Sequence, residues 1–304
     1  MIKRGNLTTK IKNVDINEAI NNNLIPNIKA TVKYKNNIIH ILDEIPSKHR
    51  CILGTFTDYL IRKIIHDIRG DDIKERLICE TVIKNHQNYP YEIDNKTNYT
   101  LWRKKKIINE RVDFCNLIKS GCEPSTPNEN TNEITYTDLN ELNRYKQYIE
   151  NYKKKQWFEV LNDIWELSLL DSLLRSRTYV HTTCYNILLD KDNDFYRYLI
   201  KVANYFSDKN KKIFYNPTLG RKKNDIITGA DADLIYDDEL IDWKCTKKKD
   251  YTKDILQTLM YSGLSRESNY NIKKCSIHYL LFETKVDLDI KNWDETEFME
   301  KYCI

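Results

Sequence analysis

Asp231, Asp233, Asp242 and Lys244 stand in one short segment, Gly229-Ala-Asp-Ala-Asp-Leu-Ile-Tyr-Asp-Asp-Glu-Leu-Ile-Asp-Trp-Lys-Cys245. Side chains alternate along a strand, so residues two apart share a face. If Asp237-Asp238 forms a two-residue turn, Tyr236 pairs with Glu239, Ile235 with Leu240, Leu234 with Ile241 and Asp233 with Asp242. Residues directly opposite in an antiparallel pair bring their Cβ atoms within about 5 Å on one face. Asp231 and Lys244 then join the two opposed acids, while Leu234, Ile241 and Trp243 fill the other face. A three-residue turn would reverse the parity and scatter the set, so everything depends on register.

Two carboxylates this close repel each other unless a proton or cation neutralises them. Oxygen donors of this kind suit a hard ion such as Mg²⁺ or Mn²⁺. Such an ion polarises a phosphoryl oxygen and lowers the pKa of its water. A lysine two residues beyond the second acid can hold that water and offset charge gathering on a phosphate. The bland alternative is a solvent-facing hairpin whose Asp and Lys form a cross-strand ion pair worth little.

The elements that must position these groups are few, because only seven glycines and six prolines punctuate the chain. Alternation at Ala30–Lys35 predicts a strand. A helix is predicted over 55–68, where Gly54 precedes a Thr55-Phe56-Thr57-Asp58 capping box and Phe56, Tyr59, Leu60 and Ile64 share a face. Further helices are predicted over about 72–86 and 98–119, with a loop at Gly121–Pro127. From about 137 to 206 the pattern is almost wholly helical; Trp157, Val160, Leu161, Ile164, Trp165 and Leu169 form a stripe with Ser168 its polar member. After Pro217 come the strand-turn-strand segment, a helix at 253–265 and an apolar strand at Ser276–Phe282.

The 304 residues suffice for two average domains, or one enlarged by an insertion. No apolar run is long enough to span a bilayer, so no membrane partner is expected. The basic N-terminus leads into polar sequence, unlike a secretory signal. The cysteines at 51, 79, 115, 122, 184, 245, 275 and 303 lack zinc-knuckle spacing. They read as reduced, mostly buried thiols of an intracellular, cytoplasmic protein. His66, His86, His181 and His278 have no partner at metal-ligand spacing and read as core or surface histidines. No phosphate-binding Gly-x-x-x-x-Gly-Lys loop exists, which argues against an ATP motor.

Net charge is only +4, but the cations come in blocks at 103–106, 153–155, 211–212, Arg221-Lys222-Lys223 and Lys247-Lys248-Lys249. Trp102, Tyr152, Trp157, Tyr215 and Tyr251 lie near them, a mixture that suits nucleic acid and equally a solvated face.

The segment Gly-Ala-Asp-Ala-Asp-Leu-Ile, a short turn, Leu-Ile-Asp-Trp-Lys-Cys-Thr, and then Asp254-Ile-Leu-Gln257-Thr-Leu-Met-Tyr261 resembles the PD-(D/E)xK nuclease superfamily, in its RecB-like branch. The resemblance covers roughly 50–66 and 225–285. It implies an α/β, restriction-endonuclease-like core, a mixed sheet flanked by helices, built from 1–69 and 216–304. A large, mainly helical insertion at 70–215 would shape the substrate channel. Carried over residue by residue, Asp233 and Asp242 match the metal-binding acids and Lys244 the catalytic lysine. The Trp243 carbonyl would be a further ligand, and Gln257 and Tyr261 would line the active-site edge of the helix. Asp231 matches either an acid behind the ligands or an alternative first ligand.

Leu53–Arg62 resembles the first-helix motif, whose polar residue reaching toward the metal would be Asp58; Asp58 equally suits a capping-box role. Arg62 would contact phosphate or pair with Asp58. Arg221, Lys222, Lys223, Lys247 and Lys248 are the expected nucleic-acid contacts. The implied activity is Mg²⁺- or Mn²⁺-dependent hydrolysis of single- or double-stranded DNA, endo- or exonucleolytic. With only Cys275 and Cys303 near the C-terminus, no iron–sulfur cluster is expected. The rival reading is a non-catalytic nucleic-acid-binding protein on the same fold; a third is a helical interaction protein. Oligomeric state is open.

Overall fold

The structure, a computed structural model, describes residues 25–26, 28–32, 38–73, 77–80, 136–176, 183–220, 230–247 and 250–302. The helix expected at 98–119, the loop at 121–127, most of the helix expected at 72–86, and His86 and His181 lie outside these residues. So do the basic block at 103–106 and Arg221, Lys222, Lys223 and Lys248. The chain forms two compact units, one of residues 44–193 and one of residues 1–43 with 194–304.

The first unit is helical. Helix α1 spans Arg50–Arg69 and starts well before the predicted Thr55. A 3₁₀ turn at Ser47–His49 leads into it, and Ile52 and Leu53 are buried with Phe56, Tyr59 and Leu60, so the apolar face runs back past Gly54. Thr55–Asp58 is therefore helix interior, and the capping-box role for Asp58 falls away. Gly70 ends the helix at φ 64°, with its N–H on the His66 carbonyl, a conformation that a side chain would strain. Helices α2 (Tyr136–Lys154), α3 (Leu161–Ser176) and the short α4 (Asn186–Leu189) follow it among the described residues of the unit. Phe56 meets Trp165 edge-on at 5.8 Å, and the Tyr152 hydroxyl donates to the Tyr59 carbonyl at 2.9 Å. Ser168 is tolerated in this core because its hydroxyl bonds back to the Ile164 carbonyl at 2.7 Å.

The second unit is α/β. Its helices are α5 (Asp194–Asn204), α6 (Tyr251–Glu267) and α7 (Thr296–Tyr302). Its strands are β1 (Ile28–Val32), β2 (Ile213–Tyr215), β3 (Thr218–Leu219), β4 (Ala230–Asp231), β5 (Leu234–Tyr236), β6 (Glu239–Lys244), β7 (Lys274–Tyr279) and β8 (Thr284–Asp289). Six of them make one mixed sheet in the order β1-β8-β7-β6-β5-β2, with only β6 and β7 parallel, and β3 and β4 form a separate ribbon. Parallel neighbours need a crossover, and α6 supplies it. Its Ile255, Leu256, Leu259 and Met260 pack on Ile235, Leu240, Cys275, Ile277 and Val286. The opposite face is covered where Phe206 meets the rings of Tyr236, Trp243 and His278.

The hairpin has the expected register: Leu234 opposes Ile241, Ile235 opposes Leu240 and Tyr236 opposes Glu239. Asp237 makes the turn at φ 59°. The unit boundaries at 43/44 and 193/194 differ from the expected 69/70 and 215/216. The reason is tertiary: α1 buries its apolar face against α3 and so belongs with the helices.

Candidate active site

Strand β6 presents Asp242 and Lys244 to the face that carries α6. The Lys244 ammonium lies 2.7 Å from Asp242 Oδ2 and donates to Gln257 Oε1 at 3.0 Å. Gln257 in turn donates through Nε2 to the Tyr261 hydroxyl at 2.7 Å, one turn further along α6. Asp233, just before β5, uses Oδ2 to accept the Trp243 backbone N–H at 2.6 Å. Asp233, Asp242, Lys244, Gln257 and Tyr261 are thus brought together, and the main chain of Trp243 passes through the group while its indole packs on the far face.

The electrostatics follow from burial. Asp242 is 2% exposed, so its carboxylate has little access to water and rests on the Lys244 ammonium. Burial alone would depress the Lys244 ammonium, but Asp242 and Asp233 outweigh it and raise its pKa, keeping it charged. Burial and the same two acids push the Tyr261 phenol up, so it stays a neutral hydrogen-bonding group.

Two residues that the sequence reading did not assign complete the surroundings. Asp254, in the first turn of α6, is 7% exposed; its Oδ1 lies 4.0 Å from the Lys244 ammonium and its Oδ2 accepts the Tyr279 hydroxyl at 2.9 Å. Burial, offset in part by Lys244 and Tyr279, raises its pKa. Helical spacing from Gln257 was the available signal for Asp254. Tyr279 reaches the site only because β7 pairs in parallel with β6, which sets it beside Lys244.

Asp231 does not join the group as strand parity implied. The chain leaves the sheet between β4 and β5, where the Ala232 N–H goes to the Pro217 carbonyl. Asp231 is exposed on the β3–β4 ribbon and accepts the Thr218 hydroxyl at 2.8 Å. Asp58 and Arg62 belong to the helical unit. Of the two roles considered for Arg62, the structure has the pairing: its guanidinium is 2.6 Å from Asp58 Oδ2, over the Tyr59 ring, with 2% of the side chain exposed. Lys247 is exposed just beyond β6. His66 and His278 are buried, as are Cys79, Cys184 and Cys275 among the described thiols.

Among the described residues, no three His, Cys, Asp or Glu side chains converge closely enough to hold a metal ion. The donors present fit a hard divalent cation in kind, being two carboxylates from neighbouring strand segments, that of Asp242 buried, and a main-chain carbonyl. No helix of the described residues is long and apolar enough to cross a membrane. No protein-family model, curated protein or solved structure matches the chain.

Proposed function

We propose that the protein is a metal-dependent nuclease that hydrolyses DNA phosphodiester bonds. Its α/β unit would be a restriction-endonuclease-like core of the PD-(D/E)xK superfamily, and its helical unit an insertion that shapes the substrate channel. The observation that carries this reading is the hairpin register with its consequence: Asp242 pairs with Lys244, Asp233 bonds to the adjoining Trp243 main chain and helps keep that lysine charged, and Gln257, itself bonded to Tyr261, accepts from the same ammonium. A surface ion pair would need neither the burial of Asp242 nor the hydrogen-bond relay.

Asp233, Asp242 and the Trp243 carbonyl would hold Mg²⁺ or Mn²⁺, which when bound polarises the phosphoryl group and makes water a better nucleophile. Lys244, kept protonated by its acids, orients the attacking water and offsets charge that grows on the phosphate oxygens. Gln257 fixes the ammonium and Tyr261 fixes Gln257, so the lysine arrives preorganised. Lys247, Lys248, Arg221, Lys222 and Lys223 would meet the DNA backbone through charge, which makes binding salt-dependent.

The test is incubation with linear and circular, single- and double-stranded DNA in Mg²⁺, Mn²⁺ or chelator. Wild type should cleave only with metal, and Asp242→Ala or Lys244→Ala should lower cleavage by at least about 10³-fold with circular dichroism unchanged. Full activity of purified Asp242→Ala protein refutes the assignment. Salt-sensitive DNA binding with no metal-dependent cleavage favours a non-catalytic binding protein instead.

A further inference from the structure

Asp242 has two demands on it. It is the counter-ion of Lys244 at 2.7 Å and, on the proposed function, a ligand of the divalent cation. An oxygen committed to a cation is a weaker partner for an ammonium group, and the ammonium and the cation repel each other. Lys244 is only 14% exposed, so water cannot readily take over as its partner. A second buried anion aimed at the same ammonium would answer the problem.

Asp254 is such a group. An acid in the first turn of a helix is favoured by the helix dipole even when it faces solvent. This one is instead turned inward at 7% exposure. Its Oδ2 is tied to the Tyr279 hydroxyl at 2.9 Å, which leaves Oδ1 toward Lys244 at 4.0 Å. The tie is itself supported. Tyr279 is fully buried, its ring is met edge-on by Tyr251 at 5.2 Å, and the β6–β7 register sets it beside Lys244. The start of α6 is fixed as well, because the Asp250 carboxylate caps it by accepting the Lys253 N–H and its carbonyl accepts the Asp254 N–H.

We propose that Asp254 is a positioning residue that, oriented by Tyr279, holds Lys244 in place when Asp242 is committed to the divalent cation. Gln257 keeps its hydrogen bond to the ammonium in both arrangements and acts as the pivot. Asp254 touches neither the cation nor the phosphate; it acts through the lysine alone. The inference rests on the metal-nuclease reading.

The experiment is a double-mutant cycle read by Mn²⁺ titration calorimetry and by steady-state kinetics on DNA, with folding checked by circular dichroism. Asp254→Asn keeps the size of the side chain and an acceptor for Tyr279 but removes the charge. It should weaken Mn²⁺ binding by about 5–10-fold and lower kcat by about 10–100-fold while leaving KM for DNA unchanged. In a Lys244→Met background, Asp254→Asn should change Mn²⁺ affinity by less than about two-fold, because the ammonium it serves is gone. Asp254→Glu should restore part of the lost kcat. Wild-type Mn²⁺ affinity and kcat in Asp254→Asn, from an otherwise active enzyme, overturn this inference and leave the nuclease reading standing. Weakened Mn²⁺ binding that persists in the Lys244→Met background also overturns it, because Asp254 would then act on the cation or on the fold. If wild type neither binds Mn²⁺ nor cleaves, the nuclease reading fails and this inference with it. Should Asp254→Asn not fold, Tyr279→Phe takes its place in the cycle, with a smaller loss of the same kind expected and no loss overturning the inference.

Discussion

Glu239 and Asp242 lie on one strand but serve opposite faces of the sheet, and their surroundings show what separates a structural carboxylate from a candidate ligand. Glu239 is saturated: Lys274 and Lys285 lie 3.4 and 3.2 Å from its Oε1, and the Tyr205 hydroxyl donates to Oε2 at 2.9 Å. Burial would raise its pKa, but Lys285, the Ser276 hydroxyl and Lys274 outweigh that and draw it down to about 2. His278 lies on the same face, where burial first and Lys285 second push its imidazole down to about 3. Both shifts make the unfolded chain the better proton binder in acid. Stability from His278 staying neutral is full above about pH 6.5 and lost as pH falls toward 3. Stability from ionised Glu239 is full above about pH 4.5 and lost as pH falls toward 2. The thermal stability of the wild type should therefore fall steadily below about pH 6.5. His278→Gln should flatten the upper part of that decline. Glu239→Gln should cost about 2 kcal/mol at neutral pH, discounted for the part exposure of its lysines, and flatten the lower part. Melting curves at neutral pH and at a series of acidic values check both, and slopes identical to wild type would contradict the assignment.

The hairpin of β5 and β6 is the element on which the site depends, and its turn is under local strain. Asp237 sits at φ 59°, where a side chain is disfavoured and glycine is not. Asp237→Gly should raise stability by about 0.5 kcal/mol after the loss of unfolded-state restriction, whereas the β-branched Asp237→Val should lower it by about 1–2 kcal/mol. Denaturant midpoints measure both; on the proposed function, metal-dependent cleavage by Asp237→Gly should equal wild type because the register is unchanged. This hairpin was legible in the sequence because alternation and turn length are local properties, and together they fix which residues oppose. The α6 pair Gln257 and Tyr261 was legible for the same reason, being one helical turn apart. Non-local geometry was not legible. The break at Ala232 that takes Asp231 onto the ribbon depends on Pro217, and the approach of Tyr279 depends on a parallel pairing made across α6. Helix α1 began early because Ile52 and Leu53 found a core that composition does not announce.

At the scale of the molecule, the chain leaves the α/β unit after Asp43 and re-enters it at Asp194. Both points are anchored at one place within that unit: the 3₁₀ segment Ile38–Asp43 and α5 each pack on the turn at Leu280–Phe282. A long excursion between two neighbouring points of one unit is how an inserted domain is accommodated with little disturbance to its host. Each unit also owns a core, Phe56, Tyr59 and Trp165 in one and Leu240, Leu259 and Ile277 in the other, so neither should need the other to bury its apolar surface. Residues 44–193 expressed alone should give a helical circular-dichroism spectrum and a cooperative melt. The complementary protein, with Asp43 joined to Asp194 by a short Gly/Ser linker, should also melt cooperatively and keep the acid decline set by His278 and Glu239, because those residues and their partners all lie outside the excised segment. On the proposed function, with a helical unit that supplies the substrate channel but not the metal ligands, that shortened protein should still bind Mn²⁺ by calorimetry while its KM for DNA rises. Loss of Mn²⁺ binding in a shortened protein that still melts cooperatively would contradict the assignment of the cation to the α/β unit alone.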